Sequence, residues 1–285
     1  MIITIVGVGL LGGSWALGLK ERRGNFKFIG VDANPGNAEK AKELRIVDEI
    51  CSLEEGVRRA DLTVLAVPVN AILGLLPQVL DLLPPHATLL DLGSTKKKIC
   101  QLTDTHPRRE QFVAGHPIAG TEHSGPEAAF AGLLPNKIMI VCDPEKSRPA
   151  ALGLVEELCA LLPMRLSYMA SPDHDLHLAY VSHLSHISSF ALGATVLEKE
   201  KDEQNIFDMA GSGFSSTVRL AKSSPDMWAP IFTQNRENIS AALDSYIQKL
   251  QYFKDIIDQQ DEAASHELMR RPNEIRRILS GIDQG

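Results

Sequence analysis

Two kinds of chemistry can be read from the residues: an imidazole placed to move a proton, and a glycine-rich turn placed to hold a phosphate. His116 closes the apolar run Gln111-Phe112-Val113-Ala114-Gly115 and is followed by Pro117. A histidine at the end of a buried strand can take a proton from a hydroxyl while hydride leaves the adjacent carbon, and an ordinary imidazole pKa of about 6.5 suits that task. Ser94, in Gly93-Ser94-Thr95-Lys96 at the end of the neighbouring strand, can hold the same hydroxyl or fix the imidazole. The turn is Gly7-Val8-Gly9-Leu10-Leu11-Gly12, entered from the β-branched run Ile2–Val6 and left along a helical pattern of Leu11, Trp15 and Leu19. Gly7 permits the tight turn, Gly9 lets backbone approach a pyrophosphate, and Gly12 lets the helix pack on the strand. Leu10 and Leu11 open that helix, whose N-terminus faces the phosphate charge. A second strand, Phe26–Val31, ends in Asp32, which can accept hydrogen bonds from a ribose 2′-hydroxyl and would repel a 2′-phosphate. NAD is therefore the expected cofactor, with Pro68, at the carboxyl end of a third strand, on the same binding edge.

These residues need a doubly wound sheet to bring them together. The expected strands are Asp61–Pro68, Ala87–Leu92, Gln111–Gly115, Lys137–Cys142 and a last one near Met164–Tyr168, with helical patterns between them. Near-continuous apolar strands alternating with helices imply a parallel sheet covered on both faces, with ligands at the carboxyl ends of the strands. From Ser171 onward the pattern is helical only. Ser171-Pro172-Asp173 reads as a helix start, with Ser171 as the cap, and the helix runs to about Leu197. The apolar stripe from Asp226 to Asp258 reads as one long bundle helix packing on a partner subunit, an intrachain core helix being the alternative. The expected domains are residues 1–168, dinucleotide-binding, and 169–285, helical.

Composition narrows the setting. At 285 residues with 44% hydrophobic content the chain is long enough for two globular domains. A net charge of −7 argues against a nucleic-acid or acidic-membrane surface, Lys96-Lys97-Lys98 being a local exception. Cys51, Cys100, Cys142 and Cys159 show no CxxC spacing, and the apolar start is too short for a membrane span, so a cytoplasmic protein with reduced thiols is expected.

Five stretches together resemble the prephenate/arogenate dehydrogenase family across almost the whole chain. They are Gly7–Ser14, Asp91–Lys96, Gly115-His116-Pro117-Ile118-Ala119-Gly120-Thr121-Glu122-His123-Ser124-Gly125, Ser182-His183-Leu184-Ser185-His186, and Arg219–Trp228. The resemblance implies a Rossmann-type N-terminal domain followed by an all-α dimerisation domain, with the active site between them. It also implies a homodimer and oxidative decarboxylation of prephenate. By the same resemblance His116 is the catalytic histidine, Ser94 assists it, His186 lines the substrate's side-chain end and Arg219 binds a substrate carboxylate. A guanidinium fork suits that last role in a chain of negative net charge. The chain departs from the family pattern at Ser185, often proline, and at Ser215-Ser216, often Arg-Asp.

The remaining histidines read differently. His183 and His186 are three apart, but no HExxH pattern or carboxylate at ligand spacing makes them a metal set; His174 and His177 are also three apart. His183 reads as a packed core histidine, His174 and His177 as solvated or interface residues, and Trp228 as core. With no chorismate mutase pattern before Gly7 and no regulatory pattern after Asp258, a single activity is expected. The alternatives are arogenate as substrate, a 3-hydroxyacid dehydrogenase, or an NADH-sensing protein without turnover, which would need neither His116 with Ser94 nor an anion clamp at Arg219.

Overall fold

The computed structural model describes residues 1–22, 25–202 and 205–275. Eight strands form one sheet: β1 Ile2–Val6, β2 Lys27–Val31, β3 Glu49–Ile50, β4 Leu62–Leu65, β5 Thr88–Asp91, β6 Phe112–Pro117, β7 Ile138–Cys142 and β8 Arg165–Met169. Their spatial order is β3-β2-β1-β4-β5-β6-β7-β8. The helices that cover it are α1 Leu10–Lys20, α2 Pro35–Glu43, α3 Leu53–Arg59, α4 Val69–Leu82, α5 Lys97–Thr103 and α6 Pro149–Leu161. One apolar cluster gathers Ile3, Trp15, Leu19, Phe28 and Val155; a second gathers Leu65, Ile72, Leu76, Ile99 and Phe112. The central strands are buried between these two layers, which is why they read as unbroken apolar runs.

The sheet is mostly parallel. β6 and β7 pair antiparallel, with His116 opposite Ile140, and the remaining neighbours pair parallel. A parallel pair needs a crossover, whereas the segment from Ile118 to Lys137 holds only short 3-10 turns, so β7 returns alongside β6 in the opposite sense. The two-residue β3 is an addition to the expected strands; Asp48, beside it, accepts the Phe28 N–H.

Beyond β8 the described residues form only helices and turns. α7 Ser171–Leu178, a π turn Ala179–His183 and α8 Leu184–Asp202 follow one another without a loop. Ser171 is the first helical residue rather than the cap: its N–H and hydroxyl both donate to the Asp143 carboxylate, so the helix start is satisfied from β7's end. α9 Ser212–Thr217, a 3-10 turn Arg219–Lys222 and α10 Pro225–Gln234 come next. The stripe expected as one helix from Asp226 to Asp258 is two, because Asn235 leaves helical geometry at φ −98°, ψ 28° and caps α10. By compactness the chain divides into residues 1–236 and 237–285. The second unit holds nearly all of α11 Arg236–Asp258, and α12 Glu262–Arg270. Ile247, Leu250, Tyr252 and Ile257 of α11 are exposed. No helix among the described residues is long and apolar enough to cross a membrane.

Candidate active site

The glycine turn sits where β1 becomes α1, and each glycine answers a separate constraint. Gly7 has φ +91°, and an added methyl would lie 2.5 Å from the Ala66 carbonyl oxygen. At Gly9 the nearest protein atom to such a methyl is the Gly125 nitrogen, 3.9 Å away. The protein's own packing therefore does not require glycine at position 9; the space it keeps open is the kind a pyrophosphate would fill. A cleft of about 530 Å³ runs past this turn, lined by Gly7, Gly9, Asp32, Pro68, Cys51 and Leu53 among others. The Asp32 carboxylate accepts N–H bonds from Val8 at 3.1 Å and Asn34 at 2.9 Å, which aims it across the cleft. These residues fit a dinucleotide with an unphosphorylated ribose. Leu10 and Leu11 are partly buried and pack against the core, and neither lines this cleft. Gly12 lies buried beneath the turn.

Strand register carries the site along the same edge. Val6, Leu65, Asp91 and Ala114 stand in one row across β1, β4, β5 and β6, so His116 lies two residues beyond that row at the carboxyl end of β6. Three inter-strand steps put it roughly 14 Å along the edge from the phosphate turn. His116 is only 7% exposed. Its Nδ1 lies 2.8 Å from His174 Nε2, and His174 Nδ1 lies 2.8 Å from Asp175 Oδ1. Asp175 also accepts the Lys96 N–H at 2.7 Å and the Lys97 N–H at 3.0 Å, tying α7 to the start of α5. Burial, with His174, Lys96 and His183 adding, pushes His116 well below the usual imidazole range, so the ring is a neutral proton acceptor. Lys96 is itself fully buried and paired with Asp91, so one member of the Lys96–Lys98 run is an interior cation rather than surface charge.

Ser94 is half-buried between β5 and α5, but no hydrogen bond joins it to His116; the side chain within hydrogen-bond distance of the imidazole is His174. His174, expected to be solvated or at an interface, is 0% exposed. The sequence signal that could have found it is the His-Asp pair in the first turn after the last strand, close to the sheet edge that carries the ligands. Thr95 is a second addition: its hydroxyl donates to Gln234 Oε1 at 2.7 Å, and Gln234 Nε2 donates to Asn70 at the start of α4.

A second group surrounds Trp228. His186 stacks on its indole with ring centroids 3.5 Å apart, His183 meets it edge-on at 5.9 Å, and Phe232 lies 5.5 Å away. Trp228 packs with Val69 and Ile231, so it is core as expected and also the platform for His186. His183 is buried, its Nδ1 3.1 Å from Asn235 Nδ2, and burial pulls its pKa down to about 4. The His186 Nδ1 is 3.0 Å from the Ser182 carbonyl; burial lowers its pKa, and the charge of nearby Arg219 lowers it further. Arg219 is exposed on its 3-10 turn, and its charge also reaches Glu122. The structure thus brings Arg219, His186 and Trp228 into one neighbourhood. It sets His116, His174 and Asp175 in another, with His183 bearing on both. Among the described residues no group of three or more His, Cys, Asp or Glu side chains is placed to hold a metal ion.

Comparison with known proteins gives the same result from two directions. Residues 15–168 match the family described as prephenate dehydrogenase, nucleotide-binding domain, and residues 170–271 match prephenate dehydrogenase, dimerization domain. A curated prephenate dehydrogenase from Bacillus subtilis is 30% identical over 266 residues, covering 91% of this chain and 71% of that one. Among solved structures, the prephenate dehydrogenase from A. aeolicus in complex with hydroxyphenyl propionate and NAD+ aligns with a TM-score of 0.88 and 33% identity. It covers 99% of this chain and 98% of its own. Synechocystis arogenate dehydrogenase aligns at 0.76 with 28% identity over 98% of this chain and all of its own.

Proposed function

The chain belongs to the prephenate dehydrogenase family, and from that premise we propose which of its residues carry the reaction. It is an NAD-dependent oxidoreductase that converts prephenate to 4-hydroxyphenylpyruvate and carbon dioxide. NAD, when bound, supplies the hydride acceptor. Gly7, Gly9, Gly12, the backbone at Leu10 and Leu11, Asp32 and Pro68 hold it in the cleft beside the glycine turn. His116 Nε2 takes the proton of the ring hydroxyl as the carbon bearing it is oxidised, and Ser94 holds that same hydroxyl. When the ring carboxylate leaves as carbon dioxide, its bonding pair makes the ring aromatic, and His116 returns the proton to the phenol oxygen. No proton is released overall. Arg219 binds a substrate carboxylate, and His186 on its Trp228 platform lines the side-chain end.

The observation that carries this reading is His116 itself: a buried, neutral imidazole at the ligand-bearing edge, with Nδ1 engaged and Nε2 left to meet substrate. Residues 1–168 form the dinucleotide-binding domain and residues 169–285 the helical domain in this reading. The exposed apolar positions of α11 support a homodimer formed through the latter. The four unpaired cysteines accord with a cytoplasmic setting. Mixing protein, NAD and either prephenate or arogenate while following NADH absorbance tests the assignment. Turnover of prephenate upholds it, turnover of arogenate alone moves it to the amino-bearing substrate, and no turnover of either overturns it.

A further inference from the structure

Resting on His116 as the base, we propose that His174 and Asp175 are positioning residues that lock His116 in the tautomer carrying its hydrogen on Nδ1, leaving Nε2 as the lone pair offered to substrate. The direction of the chain follows from its end. The Asp175 carboxylate already accepts two backbone N–H groups, from Lys96 and Lys97, and a carboxylate has no hydrogen to give. The 2.8 Å contact with His174 Nδ1 is therefore a bond that His174 donates. Neutral His174 then has a bare Nε2, and the 2.8 Å contact with His116 Nδ1 must be donated by His116. The two rings meet edge to face at 65°, with centroids 5.0 Å apart.

Solvent cannot scramble this order, because His174 is 0% and Asp175 2% exposed. The other charged or titratable groups near the base are the Asp91–Lys96 pair from β5 and the start of α5, and His183 from the π turn. None of them donates to or accepts from either nitrogen of His116. A sealed chain also matches the chemistry. The proton that His116 takes goes back to the product oxygen, so the relay needs no outlet to water. While His116 holds that proton, its charge stands one ring away from a carboxylate.

The decisive comparison is His174→Gln against His174→Leu. Glutamine can accept from His116 through Oε1 and donate to Asp175 through Nε2, whereas leucine can do neither. His174→Leu is expected to lower kcat about 10²-fold with KM for prephenate within about threefold, and His174→Gln to recover most of that loss. The nitrogen-15 spectrum of the wild-type imidazoles should show His116 protonated on Nδ1 and bare on Nε2, and His174→Leu should lose that preference. Wild-type kcat in a folded His174→Leu, or a wild-type spectrum with the His116 hydrogen on Nε2, would overturn the proposal. If the leucine variant does not fold, the wild-type spectrum and the glutamine variant still decide. His116→Asn separates the two readings. Normal turnover there removes the base itself, whereas an inactive His116→Asn beside an active His174→Leu removes only the relay.

Discussion

Gly12 lies so close beneath the glycine turn that a methyl group on it would sit 2.1 Å from the carbonyl oxygen of Gly7. That contact is a matter of fold, while the open space above Gly9 is a matter of ligand, and alanine at each position separates them. Gly12→Ala should lower the melting temperature sharply, by overpacking worth about 1–3 kcal/mol or more. Gly9→Ala should melt near wild type and lose NADH affinity at least tenfold, read by fluorescence titration. Equal NADH affinity in wild type and a folded Gly9→Ala would remove the turn from the binding site.

His116→Asn should reduce kcat by on the order of 10² to 10⁴ and leave NAD affinity unchanged, because in the proposed role the ring moves a proton and binds no cofactor group. Steady-state kinetics with an independent NAD titration measures both.

The pH profile of kcat/KM should carry an acid limb set by His116. Its pKa lies well below the ordinary 6.5, and only the neutral ring accepts a proton. Activity is therefore at its plateau at pH 7 and falls as pH drops through the depressed value. A midpoint at or above 6.5 would contradict the burial that sets it.

Arg219→Ala should raise KM for prephenate by more than tenfold with a small change in kcat, since a carboxylate clamp binds ground state and transition state alike. Arg219→Lys should restore only part, because an ammonium lacks the two-pronged geometry.

Acid should destabilise the fold through its buried neutral histidines. His183 has a pKa of about 4 in the folded chain and about 6.5 unfolded, so the unfolded chain binds more protons between those values and stability rises with pH across that window. The full span is worth on the order of 3 kcal/mol for this one group. Melting temperatures at pH 7 and pH 4.5 should differ accordingly, and His183→Gln should narrow the difference.

The dinucleotide half was legible because its strands are buried on both faces and its glycines meet steric demands that show in spacing alone. What was not legible has physical causes. β3 is two residues long and leaves no period to read. The reversal of β7 depends on a connection without a helix, and the composition of a strand does not encode its direction. Lys96 stood in a run of three lysines, and its pairing with Asp91 depends on a turn that puts residues five apart face to face inside the protein. His174 lay in a short polar stretch, Ser171-Pro172-Asp173-His174-Asp175, that reads as solvated until α7 is laid against β6 and α5. The break at Asn235 falls five residues after Pro230, which α10 holds without breaking, and no glycine or proline stands at the break itself, so the apolar stripe reads through it.

The π turn at Ala179–His183 gives the long helical segment two rotational settings. A wider turn adds a residue to the winding, so α8 leaves it rotated relative to the face that α7 presents. That offset lets one nearly continuous rod point His174 at the sheet edge and His186 at an indole. Removing a single residue there would rewind the rod to one phase and pull those two aims apart, although His174 and His186 would both still be present.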